Sequence, residues 1–182
     1  MDAHCDNVIV EETERPDLRF VAVPLSTIAG QTMRDWGRDF CRMARPLTAG
    51  EILLGDGHCS GAEEYENLAR AGIDRVLPAE FADTARWAAR VQALADRVDA
   101  IYLMVDVDIL RNEYIPAYFR PEPGGHALET VLGNVRAVMR TGKVLAFSCF
   151  CVDFDKYAQG GETTFESGRQ IIEAGLAAWA ET

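Results

Sequence analysis

Short apolar runs alternate with longer amphipathic ones along most of the chain. Residues 51–55 (EILLG) read as a strand, 61–72 as a helix closed by Gly72, and 74–80 (DRVLPAE) as a second short strand. Residues 82–98 carry apolar side chains at helical spacing, and 100–108 (AIYLMVDVD) read as a buried strand that ends in acids. A helix over 127–142 stops at Gly142, a strand follows over 143–154 (KVLAFSCFCVDF), and 165–181 close the chain as a helix. Strand–helix alternation predicts parallel strands with helices on both faces. In such sheets ligands bind beyond the carboxyl ends of the strands, so polar residues there carry the chemistry.

Two clusters meet that condition. The chain opens MDAHCD, and on a strand the alternate residues Asp2, His4 and Asp6 point the same way. Carboxylate, imidazole and carboxylate on one face suit a hard divalent metal. The second cluster is Asp106 and Asp108, at alternate positions after the apolar run from Ile101 to Val105. One such acid pair reads more readily as a solvated strand end, but two clusters, one with a histidine, shift the reading to metal. Five ligand-type side chains could hold two adjacent manganese-like ions, and two metals about 3.5–4 Å apart make a nucleophile of water at neutral pH.

Composition narrows the partners. The 182 residues suit one domain, 1–182, and 48% hydrophobic with 26% charged residues is ordinary for a globular chain. A net charge of -11 argues against nucleic acid and against anionic membrane surfaces. No secretory pattern opens the sequence and no apolar run approaches the roughly 20 residues of a membrane span, which leads us to expect a cytoplasmic protein. The five cysteines include no CxxC pair, and Cys149 and Cys151 read as buried small hydrophobes of a strand. His58 (GDGHCS) reads as a loop histidine, and His126, after Gly124 and Gly125, as a helix-start residue with no visible partner. That glycine pair lacks both a GxGxxG pattern and a phosphate-loop lysine.

DAHCD, followed about a hundred residues later by YLMVDVD, resembles the arginase–agmatinase–formimidoylglutamase superfamily, the manganese ureohydrolases. The stretch EILLGDGHCSGAEEYENLARAGIDRVLPAEF is similar to the family's run of strand, loop, acid-bearing helix and short strand, and GGHALETVLGNVRAVMRTGKVLAFSCFCVDFD to its glycine pair, long helix and last strand. DVDIL together with VDFDKYAQGGETTFESGRQII is most similar to the formimidoylglutamase branch. The resemblance implies a three-layer α/β/α fold with a mainly parallel sheet. It also implies hydrolysis of a C–N bond in a small guanidino or formimino substrate, by hydroxide shared between two Mn(2+) ions. By position, Asp2 and Asp106 would bridge both metals, Asp6 would complete one set, and His4 and Asp108 the other. Asp106 could assist as a base, Glu64 could receive a substrate amine, and Asp153 could hold the guanidinium.

The departures from the family pattern are specific. The family's GGDH motif, whose histidine binds the first metal, would lie ahead of DAHxD, where this chain begins; a truncated N-terminal third is therefore expected. Val21, in VAVP, stands where the family often has a proton-shuttling histidine, and ILRNEY follows the second acid pair where most members have aspartate–proline. His58 offers a substitute for the absent histidine. The alternative reading is thus a diverged relative with weak or no catalysis, serving binding or assembly. Loss of neighbouring strands would bare an apolar sheet edge, so a homo-oligomer is expected.

Overall fold

The computed structural model describes Met1 and residues 48–59, 61–118, 123–152 and 161–182. A single 3-10 turn, Ala49–Glu51, precedes β1 (Leu53–Gly55), and α1 (Ala62–Ala71) leads to β2 (Asp74–Val76). There follow α2 (Pro78–Phe81), α3 (Thr84–Ala95), β3 (Ile101–Asp106), α4 (Leu128–Met139), β4 (Val144–Phe150) and α5 (Glu162–Trp179). β1 pairs with β2 and β3 with β4, both in parallel, with α1 and α4 as the crossovers. Alternation along the sequence has become two strand–helix–strand units, as parallel pairing requires.

Local chemistry fixes where the elements stop. At the end of α1 the Ile73 amide reaches the Leu68 carbonyl and the Gly72 amide reaches Ala69, a Schellman closure for which Gly72 takes φ 69°. β2 is shorter than the pattern over 74–80 suggests. Pro78 has no N–H for a ladder and a φ suited to a first helical turn, so it opens α2 instead. β3 likewise ends at Asp106, not 108, because the Asp106 carboxylate caps a 3-10 turn over Val107–Ile109 by accepting from the Asp108 amide. β4 ends at Phe150, and Cys151 turns with φ 63°. Its register against β3 shifts once, where Leu145 is the extra residue between the Ile101–Val144 and Tyr102–Ala146 pairs.

The helices pack by their apolar stripes. α3 is capped by Asp83, which accepts from Ala85 and Arg86, and buries Trp87, Val91, Leu94 and Ala95. α4 packs against both α3 and α5, burying Val131, Val135, Val138 and Met139. Within it, the buried Asn134 side chain donates to Phe81 O at 2.8 Å, and the Asn134 backbone carbonyl accepts from Trp87 Nε1 at 3.0 Å. Lys143 extends its ammonium to the carbonyls of Ala95 and Val98, where a helix end presents partial negative charge. The core runs from Val76 and Phe81 through Val105 and Ile109 to Ile171. Tyr102, Leu145 and Phe150 stand exposed. Among the described residues no helix is long and apolar enough to cross a membrane.

Met1 is buried against β3. Its amino group donates to Met104 O and its carbonyl accepts from Asp106 N, each at 3.0 Å. These two bonds are those of a parallel ladder with Met1 opposite Val105.

α5 approaches β4 closely because Gly168 and Gly175 share the facing stripe. A Cβ at Gly175 would lie 2.5 Å from a Phe147 ring carbon and 3.1 Å from Met139 Cε. Helix propensity alone would favour alanine by about 1 kcal/mol, but overpacking costs about 1–3 kcal/mol. Gly175→Ala is therefore expected to lower the melting temperature by a few degrees. Gly133→Ala, whose Cβ would meet only Thr84 at 3.4 Å, should leave it unchanged or raise it. A Gly175→Ala protein as stable as the parent, by thermal melting, would refute this packing account.

Candidate metal centre

The carboxyl ends of β1 and β3 each carry polar groups where the sheet topology allows a ligand. At the end of β3, Asp106 and Asp108 are both buried, Asp108 to 2% exposure. They do not alternate along one strand, since Asp108 lies in the 3-10 turn, yet the turn holds them together: Asp106 Oδ1 accepts from the Asp108 amide at 3.2 Å. Asp106 Oδ2 accepts from Cys151 Sγ at 2.8 Å, and Asp108 Oδ2 accepts from the Tyr118 hydroxyl at 3.4 Å. The chain after the turn is pinned to α5, where Thr164 accepts from the Ala117 amide and Ser167 donates to the Tyr114 carbonyl.

The two acids act on their neighbours. Burial, then the charges of Asp108 and Asp106, push the Tyr118 phenol up, so it stays neutral and donates. Burial and the Asp106 charge push the Cys149 thiol up to about 12. Cys151 is likewise raised to about 12, by burial, its bond to Asp106 and the nearby acidic charges. Cys149 is half-buried and Cys151 exposed, so the expectation of two buried strand cysteines fails: β4 ends before Cys151, whose sulfur turns onto Asp106.

Of the other sequence-based candidates, Asp2, His4, Asp6, Asp153 and Val21 lie outside the described residues. Glu64 is on α1, and its side chain also lies outside them.

A second group, which the sequence reading did not assemble, gathers at the end of β1. Asp56 is completely buried and has φ 86°, followed by Gly57 at 71°. Asp56 N donates to Val76 O at 3.0 Å, while the Arg75 guanidinium donates to the carbonyls of Asp56 (2.6 Å) and Gly57 (3.3 Å). The Tyr65 hydroxyl donates to Gly57 O at 2.8 Å, and Arg75 lies 4.1 Å over the Tyr65 ring. This clamp holds a left-handed backbone that a non-glycine residue adopts only at a cost.

The turn aims the Asp56 carboxylate at two histidines. Oδ2 pairs with His126 Nε2 at 2.9 Å and with His58 Nδ1. His126 is thus buried and partnered, correcting the expectation of a lone helix-start residue. His58, with a side chain 12% exposed, is no open loop histidine. His126 reaches its place because Gly124 and Gly125 take φ 91° and 82°; a Cβ on Gly125 would lie 2.6 Å from Leu110 O. Its amide then donates to Ile109 O at 2.9 Å and its carbonyl accepts from Arg111 N at 3.0 Å. The Phe81 ring packs 4.7 Å from the imidazole.

Burial raises the Asp56 carboxyl, but hydrogen bonds from His126 and His58, and their charges, more than offset it and hold the group below the ordinary carboxylate range. The carboxylate and two imidazoles place one donor atom each within 4.8 Å of one another, and neither Asp106 nor Asp108 belongs to this group. His58 therefore turns to Asp56 and His126, not to the β3 acids. The topological rule that singled out Asp106 would also have marked Asp56, at the end of the first strand read from the sequence; only the partnership with His126 had no local signal.

The Asp106 charge gives a chemical test of the β3 end. Alkylation of Cys151, followed by peptide mass spectrometry, should be slow at pH 8 and quicken as pH rises toward about 12, since the thiolate is the reactive form. Asp106→Asn removes the charge and weakens the acceptor, and is expected to speed labelling at pH 8 by up to about tenfold for each unit by which the thiol falls. Equal rates in both proteins would show that Cys151 does not sense Asp106.

The sequence matches the arginase family over residues 1–175. The fold is similar to that of formimidoylglutamase from Bacillus subtilis, with a TM-score of 0.70 at 14% identity, covering 97% of this chain and 51% of the other. It is similar to proclavaminate amidino hydrolase from Streptomyces clavuligerus, with a TM-score of 0.61 at 20% identity, covering 98% and 53%. Arginase from Bacillus caldovelox gives a TM-score of 0.62 at 14% identity, covering 71% and 44%. No curated protein matches. The chain spans about half the length of these solved relatives and shares their arginase-like α/β fold. By its sequence match across nearly all of its length, the chain belongs to the arginase family.

Proposed function

We propose that this chain carries a ureohydrolase-type site, in which water cleaves a C–N bond of a small guanidino or formimino substrate. The observation that carries the reading is the buried Asp106–Asp108 pair at the carboxyl end of β3, in a chain of the arginase family. The relatives' names, arginase, formimidoylglutamase and amidino hydrolase, support the reaction class.

On this reading Asp2, His4, Asp6, Asp106 and Asp108 hold two manganese ions. The described residues fit a hard cation: both donors are buried carboxylates, and their charge adds to burial in raising three neighbouring acids. When bound, the metal pair supplies an activated water and polarises the substrate. Among the chain's own groups, Asp106 takes up the water's proton, Tyr118 orients Asp108 by its hydrogen bond, and Glu64 and Asp153 receive the cationic ends of the substrate. Tyr65, beside Glu64, is anchored through its hydroxyl to Gly57, which fixes the start of α1.

The direct test is elemental analysis of manganese-reconstituted protein with assays on guanidino and formimino compounds. About two ions per chain are expected, as two-metal hydrolysis needs. Asp108→Asn should lose manganese and lower kcat/KM by on the order of 100-fold or more, since even groups behind metal ligands are worth about 10–100-fold. A chain that binds no manganese, or an Asp108→Asn protein of unchanged activity, would refute the proposal.

A homo-oligomer belongs to the same reading, supported by the exposed Tyr102, Leu145 and Phe150 of the β3–β4 pair. Light scattering should give a mass above the 20.1 kDa of one chain; a single-chain mass across the micromolar range would count against assembly.

A further inference from the structure

We infer that Asp56, His58 and His126 form a second, mononuclear site for a borderline divalent ion of the zinc class, separate from the carboxylate site at the end of β3. The inference goes beyond the proposed hydrolase reading and does not rest on it, because it uses none of the manganese ligands.

The donor set selects the ion. Two imidazoles and one carboxylate suit zinc and its neighbours in the transition series better than manganese, which favours oxygen. The three donor atoms converge from two parts of the chain, with His126 70 residues from Asp56. The Phe81 ring packs on the His126 imidazole, and next to Asp56 a Cβ on Gly55 would lie 2.9 Å from both Phe81 and Trp87, so aromatic rings close this side of the group. An apolar wall of this kind strengthens binding inside it and limits solvent access.

A second observation points to a ligand. Both imidazoles crowd one carboxylate oxygen, Oδ2, while Asp56 Oδ1 is buried without a hydrogen-bond partner, as is His58 Nε2. Among the described residues, two of the three buried side-chain N and O atoms left unpartnered belong to this group. Buried carboxylate oxygens are normally satisfied, and one left bare is costly. An ion among the three groups takes the lone pair of each donor, and a carboxylate gripping it through both oxygens engages Oδ1 as well. With only three protein ligands, coordination positions remain for water or an exogenous donor. The competing description, a carboxylate hydrogen-bonded by two imidazoles, leaves Oδ1 bare and predicts no stoichiometric metal.

The site joins the β1 loop to the segment ahead of α4, and the His126 backbone is bonded to Ile109, the residue after Asp108. An ion bound there would fasten the rim beside the β3 acids. His58 and His126 are two of the chain's three histidines, the third being His4.

The test is titration of metal-stripped full-length protein with Co(2+), read by visible ligand-field absorption and by paramagnetically shifted imidazole N–H resonances. Zn(2+) serves as competitor. In an Asp106→Asn/Asp108→Asn chain, one Co(2+) per polypeptide is expected, with two shifted N–H signals, displaced by Zn(2+) and not by Mn(2+). Saturation should raise the melting temperature by about 5–10 °C at a hundredfold excess over Kd. His58→Gln, altered on the loop side of the group, should lose that equivalent. If the double variant fails to fold, the parent and His58→Gln proteins decide: they must differ by one Co(2+). No stoichiometric Co(2+), equal binding in the His58→Gln protein, or displacement by Mn(2+) would overturn the assignment. Failure of manganese binding or hydrolysis alone would leave it standing.

Discussion

The structure turns on one buried carboxylate. Asp56 ends the β1–β2 unit, and through His126 it reaches the segment bonded to Ile109 beyond the end of β3. The two parallel pairs share no ladder hydrogen bonds among the described residues, so this polar contact is a direct tie between their carboxyl ends. A fully desolvated carboxylate is stable only with strong donors around it. That demand explains the local backbone: Asp56 and Gly57 take left-handed angles to aim the group inward, and Arg75 and Tyr65 hold the carbonyls so exposed. Gly124 and Gly125 bring the opposing histidine in past Leu110.

Around this tie, buried charge is sorted by partner. Imidazoles moderate the Asp56 charge and draw its carboxyl down. At the end of β3 the acids instead meet a phenol and two thiols, groups that donate hydrogen bonds only while they keep their protons, and all three are driven upward. Two neighbouring carboxylate groups therefore sit in opposite surroundings, one softened by nitrogen donors, the other a concentrated oxygen-rich negative field.

Much of this was legible in the sequence, for identifiable reasons. The apolar stripe of α4 is a local periodicity and folds as read; the run from Ile101 to Val105 is a strand as read but not buried on both faces, since Tyr102 points outward and stands exposed. Asp106 and Asp108 were found because strand ends are where such sheets bind ligands. The errors came where a single residue overrode the pattern. Pro78 turned a predicted strand into a helix start, and the Asp106 cap bent the predicted strand at Val107. The left-handed Cys151 ended β4 early. The pairing of His126 with Asp56 depends on how two loops meet across 70 residues, and no window along the chain contains it. The adjacent glycine pair carries part of the reason, since Gly125 allows the backbone to pass close to Leu110.

The contrast between the two rim stations also bears on metal choice. Manganese is the weakest binder of the divalent series for a given donor set, so a site for it must be kept from ions that bind nitrogen more tightly. Because Asp56 engages His58 and His126, two imidazoles are kept from the β3 carboxylates. Were either imidazole turned toward Asp108, the oxygen-rich pair would gain nitrogen and its preference would move toward zinc. On the proposed assignment, the tie made by Asp56 therefore shapes the manganese station from outside, by holding two of the chain's three histidines away from it.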